Sequence, residues 1–79
     1  MNKLQAMAHI MALLAEHTPM KPGDRKYKAA RKLVAELIDY LGPKAAVIQV
    51  AKEKAYTMER IEQLCVQQRF EEKFPPIIF

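Results

Sequence analysis

The chain reads as an all-α protein, a small three- or four-helix bundle with an apolar C-terminal tail. Three observations carry that expectation. Apolar residues recur at three- and four-residue spacing through most of the chain, the signature of amphipathic helices. The five prolines and two glycines all fall between such stretches or within the terminal segment FPPIIF. The valine- and isoleucine-containing run at residues 45–51 has no second strand-like run to pair with, so a sheet is excluded.

The clearest helix is expected over residues 24–41, DRKYKAARKLVAELIDYL. Ala30, Leu33, Val34, Leu37, Ile38 and Leu41 fall on one side of a 3.6-residue period, and Tyr27 extends that side by a turn. Pro22-Gly23 signals the preceding turn. Asp24 is a suitable N-cap, its carboxylate placed to accept from free first-turn N–H groups. Gly42 suits a left-handed C-terminal residue, and Pro43 can open the following helix.

The charges of this helix are ordered against its dipole. Arg25, Lys26, Lys28, Arg31 and Lys32 lie in its first half, Glu36 and Asp39 in its second, whereas a helix dipole favours the reverse. Arg25, Lys28, Arg31 and Lys32 are expected to project together away from the apolar stripe. Free N–H groups and side-chain cations that converge on a helix N-terminus can hold an anionic group. The alternative is a solvated face softened by Asp24 and a Lys32–Glu36 pair.

Residues 2–16 are expected to form the first helix, with Leu4, Met7, Met11 and Leu14 as its seam and Ile10 and Ala15 widening it. Gln5, His9 and Glu16 gather opposite. Leu13 borders the polar side, so much of the circumference is apolar and more than one neighbour is expected. The linker HTPMKPG is short enough to make the first two helices antiparallel, with Met20 packed beneath it.

Residues 44–73 contain no glycine or proline. Lys54 and Thr57 interrupt the stripe formed by Val47, Val50, Ala51, Met58, Ile61, Leu64 and Cys65, and Thr57 can cap a new helix with Glu59 in its first turn. Two helices, at about 44–55 and 58–73, are therefore expected rather than one long one. The tail, residues 74–79, offers Phe74, Ile77, Ile78 and Phe79 as an apolar anchor for the chain itself, a second copy or a partner.

Composition narrows function by exclusion. At 79 residues this is one domain with a small core, for which a partner or second copy is a natural complement, and a homodimer is expected. The net charge of +4 and pI near 9.4 suit an acidic protein, nucleic acid or another anionic surface. The single cysteine, Cys65, offers no internal disulfide and points to a reducing cytoplasm; on the apolar side of its helix it reads as a buried, inert thiol. No apolar run is long enough to cross a bilayer. Serine is absent, His9, His17 and Cys65 have no nucleophile–base spacing, and no glycine-rich phosphate loop occurs. Glu59, Glu62, Glu71 and Glu72 lack a histidine at helical spacing and read as salt-bridge partners for Arg60, Arg69 and Lys73. No cofactor, metal or catalytic activity is expected.

Residues 47–66, VIQVAKEKAYTMERIEQLCV, resemble the helix-turn-helix of DNA-binding regulators. The match rests on Val50 and Ala51 in a first helix, Tyr56 and Thr57 at the turn, and Ile61 and Leu64 in a second. The resemblance implies that Thr57 caps a recognition helix and that Met58, Glu59, Arg60, Glu62 and Gln63 face the major groove. The sequence departs from the pattern at Ala55, where glycine is usual, and at Lys54, where an apolar residue is usual. Glu59 and Glu62 would also bring acids to a polyanion.

Two functions follow as expectations. The first is a non-enzymatic regulator, inhibitor or adaptor that binds another protein, steered by Arg25, Lys28, Arg31 and Lys32 if that partner is acidic and anchored by the tail. The alternative is nucleic-acid binding, through Thr57, Arg60 and Gln63 or through the basic side of the second helix.

Overall fold

A computed structural model describes the backbone of residues 1–73 and the side chains of residues 1–71. It contains four helices: α1 (Lys3–His17), α2 (Arg25–Leu41), α3 (Pro43–Glu53) and α4 (Met58–Lys73). No strand occurs among the described residues. The apolar tail, with Phe74, Ile77, Ile78 and Phe79, lies outside them.

α1 begins with a capping box. The Asn2 side chain accepts from the Gln5 N–H at 2.8 Å, and the Gln5 side chain accepts from the Asn2 N–H at 3.0 Å. Two otherwise orphaned donors are thereby satisfied. The buried stripe of α1 is Ala6, Ile10 and Leu14, with Met7, Met11 and Leu13 packed at its edges. This corrects the expected seam: Leu4 is 72 % exposed, and Ala15 is also exposed. The cause is that α1 packs against both α2 and α3. A helix wedged between two neighbours buries the residues pointing between them, so the stripe rotates away from Leu4.

α2 is the central element, packed against each of the other three helices. It buries Ala30, Val34, Leu37 and Ile38. Lys3 at the start of α1 bridges Asp39 near the end of α2 at 2.8 Å, so the two run antiparallel as expected. Met20 in the intervening linker packs against the core. α4 runs in the same sense as α2: the Cys65 thiol donates to the Leu33 carbonyl at 3.3 Å, and one turn further on Arg69 bridges Glu36.

A single residue, Gly42, joins α2 to α3. Its φ of +92° and ψ of 154° lie outside the left-handed helical region expected for it, but a positive φ of this kind still favours glycine. Its N–H donates to the Ile38 carbonyl at 2.7 Å, and its carbonyl accepts from Ala46 at 2.9 Å. One residue thus closes one helix and opens the next, with Pro43 in the first turn of α3.

The break between α3 and α4 is present. Lys54 adopts the left-handed conformation (φ 52°, ψ 42°). Its N–H reaches the Ala51 carbonyl at 3.4 Å, while Ala55 N–H donates to Val50 at 3.0 Å. These two bonds form the Schellman pattern, which favours glycine at the left-handed position. Lys54→Gly is therefore expected to stabilise the protein by about 0.5–1 kcal/mol, since relief of the left-handed strain exceeds the added unfolded-state entropy. Chemical denaturation checks this; an unchanged midpoint would show that the lysine stem offsets the strain. Beyond the turn, Thr57 Oγ1 accepts from the Arg60 N–H at 3.2 Å and opens α4.

The core joins all four helices. Its largest fully buried side chains are Ile10, Leu14, Val34, Leu37, Val50, Ile61 and Cys65. At the linker end, His17 stacks on Tyr56 with ring centroids 5.0 Å apart and planes 9° from parallel. That contact ties the end of α1 to the α3–α4 turn.

Candidate functional site

Five cations crowd the first half of α2, and Arg25, Lys26, Lys28, Arg31 and Lys32 are all exposed. The arrangement depends on what the neighbouring acids do. Asp24 stands at the N-cap position as expected, but its side chain makes no capping bond; its carboxylate instead accepts from the Lys21 N–H at 3.2 Å. The reason is local: Asp24 N–H bonds back to the Lys21 carbonyl at 3.0 Å, and this tight turn holds the side chain on the loop side.

The Lys32–Glu36 pair is also replaced. Glu36 instead forms a two-pronged bridge with Arg69 of α4, at 2.6 and 2.7 Å. A planar guanidinium matches both carboxylate oxygens, which a lysine ammonium on the same helix cannot do. These bonds raise the Arg69 pKa above its ordinary value, so the group stays charged over the whole working range. Asp39 is taken by Lys3. The acids in and before α2 are thus engaged elsewhere, and none of the three ion pairs among the described residues involves the five cations.

The cations do not point in one direction. Arg31 lies at the edge facing α1, where it lines a groove of about 220 Å³ with Leu4, Met7, Ala8, Met11 and Tyr27. Lys32 lies at the opposite edge, in a second groove of about 350 Å³ between α2 and α4. At 3.6 residues per turn Lys28 falls between them around the helix, and Arg25 falls on the Lys32 side. From Arg25 to Lys32 the positive band is about 10 Å long, at 1.5 Å per residue. The α2–α4 groove is mixed in charge, because Glu36, Glu62 and Arg69 share its walls with Lys32.

The α3–α4 region gives the helix-turn-helix residues a different setting. Thr57 does cap α4, as the resemblance implied. The left-handed turn residue is Lys54, however, one position before Ala55, and Ala55 is fully buried. Arg60 donates to Gln63 at 2.8 Å and contacts Glu53 at 3.4 Å. Two side chains that would read bases are thus occupied with each other. The bridges also correct the expected partners: Arg60 and Arg69 pair with Glu53 and Glu36, not with the carboxylates of α4.

Cys65 is fully buried, as expected, and its thiol pKa is pushed up to about 11, first by burial and then by the nearby Glu36 carboxylate. His9 is exposed. Among the described residues, no group of three or more His, Cys, Asp or Glu side chains could hold a metal ion. No described helix is long and apolar enough to cross a membrane.

Sequence reasoning missed the α1–α2 groove. Its wall combines exposed Leu4 and Ala8 with half-buried Met7 and Met11, and the sequence pattern assigns Leu4, Met7 and Met11 to the core seam and gives Ala8 no role. Searches of family models, curated proteins and solved structures give no significant match to this chain.

Proposed function

We propose that the chain is a non-enzymatic binding module that acts by docking an acidic partner protein on the first half of α2. One observation carries this reading. Arg25, Lys26, Lys28, Arg31 and Lys32 stay exposed while Asp24, Glu36 and Asp39 are engaged by other groups. A band of unneutralised cations raises the local concentration of an acidic partner and speeds its docking. The setting is taken to be the reducing cytoplasm, on the ground of one buried cysteine. The small core also favours self-association, so light scattering is expected to return twice the 9.1 kDa chain mass.

Nucleic acid is the competing ligand, and direct titration of each separates the two, since docking on exposed cations weakens with salt in either case. The free protein is titrated with random duplex and single-stranded DNA and RNA at about 50 and 200 mM salt, between which phosphate-driven affinity falls steeply. The same protein is titrated with polyglutamate. Polyglutamate is expected to bind, and reversal of Arg25, Lys28, Arg31 and Lys32 to glutamate is expected to abolish that binding. Tight nucleic-acid binding that falls steeply between those salts and is lost in Arg60→Ala would overturn the reading in favour of α4.

A further inference from the structure

The α1–α2 groove lies directly beside the positive band, and its wall mixes two chemistries. Leu4, Met7, Ala8 and Met11 supply an apolar side, with Tyr27 opposite and the Arg31 guanidinium at the edge. Leu4 is 72 % exposed although it lies in this apolar setting. Methionines give such a floor an adaptable shape, and Ala8 leaves room for close approach. The α2–α4 groove is the larger, but its opposed charges favour neither sign of partner.

Resting on the acidic-partner reading above, we infer that the occupant of the α1–α2 groove is an acidic amphipathic helix of the partner. Three features select it. A volume of about 220 Å³ holds one or two large side chains, not a length of peptide, so the occupant must anchor from one face. No strand edge exists among the described residues to satisfy an extended backbone. A helix satisfies its own backbone and can therefore lie against apolar side chains without leaving polar groups unpaired. Finally, Arg25, Lys28, Arg31 and Lys32 recur at three- and four-residue intervals. Acids one turn apart on an adjacent helix, about 5.4 Å, match that repeat. Leucine or phenylalanine on the partner's apolar stripe would enter the groove, and glutamates beside the stripe would meet Arg31 and Lys28.

The test uses three synthetic probes and two substitutions. The probes are an 18-residue helix with a leucine stripe flanked by glutamates, the same helix with each glutamate changed to glutamine, and polyglutamate of equal charge. Binding is followed by fluorescence anisotropy. Ala8→Arg fills the groove while adding a positive charge, and the exposure of Ala8 leaves the core intact, as circular dichroism would check. The acidic helix is expected to bind at least tenfold more tightly than either other probe. Ala8→Arg is expected to weaken it at least tenfold while leaving polyglutamate unchanged or tighter. Arg31→Glu should weaken both acidic probes.

If the acidic helix binds Ala8→Arg as well as it binds the native chain, the groove is not its seat and this inference is overturned, while the basic-face reading stands. The same holds if polyglutamate matches the helix. If neither acidic probe binds, both readings fall together.

Discussion

Leu37→Ala is expected to remove about 3–5 kcal/mol of stability, the range for a fully buried leucine whose cavity cannot collapse. Leu37 has no exposed surface and sits on α2, the helix against which the other three pack. Relaxation from any one side is blocked, so the cost should fall in the upper part of the range. Stability of a chain of 79 residues is roughly 4–12 kcal/mol in total, so this one change removes a large part of it. Urea denaturation at 25 °C measures the effect. Leu4→Ala is the matched control: the same atoms are deleted from a largely exposed side chain, and the loss should stay within about 0.5 kcal/mol. Equal losses at the two positions would contradict the observed packing of α1 against both α2 and α3.

The second large effect concerns Cys65. At pH 8, its thiolate should be about 100-fold scarcer in the folded protein than in the unfolded chain, because the folded pKa is near 11 instead of the usual 9. Its full burial adds a second barrier, since a disulfide reagent must wait for the structure to open. A chromogenic disulfide reagent is therefore expected to label the native protein at least about 100-fold more slowly than the protein in denaturant. Labelling at the free-thiol rate would contradict the burial.

The same shift has a consequence for stability. The folded protein holds the Cys65 proton to higher pH than the unfolded chain does. Below about pH 9 both states are protonated at this site and the favourable contribution is complete. Between about pH 9 and 11 the unfolded chain releases the proton while the folded state retains it, which draws the equilibrium toward unfolding. The loss amounts to roughly 2–3 kcal/mol once the pH passes the folded value. The informative quantity is the difference from Cys65→Ala, which isolates this site. That difference is expected to move against the native chain as pH rises from 9 to 11 and to stay flat below 9.

Much of the secondary structure was legible because its determinants are local. The stop at Gly42-Pro43 and the cap at Thr57 depend on residues within a few positions of one another. The stripe of α2 was legible for a related reason: its polar and apolar sides differ so strongly that any packing must bury the same residues. α1 was harder to read. It is apolar around much of its circumference, so periodicity alone leaves several stripes open, and the choice of Ala6, Ile10 and Leu14 required two neighbours. The left-handed residue carries no glycine to mark it in the sequence. Lys54 takes that conformation because Ala55 and Val50 are buried together, and burial is a property of the whole bundle.

The positive charge of the first half of α2 was written in the sequence, but its availability was not. Asp24, Glu36 and Asp39 lie close enough in sequence to serve as partners for those cations. A local turn gives Asp24 to the Lys21 amide, and tertiary structure directs Glu36 to Arg69 and Asp39 to Lys3. A local pattern specifies which charges a helix carries and on which side. Which of them are neutralised depends on residues more than thirty positions away, as in the Glu36–Arg69 bridge, and only the packed arrangement of α1, α2 and α4 brings those groups within reach. The sequence by itself determined an all-helical chain with a basic second helix and a buried thiol. The tertiary structure decided which apolar residues became core, which lined a groove, and which cations were left unpaired, because each outcome depends on contacts between helices.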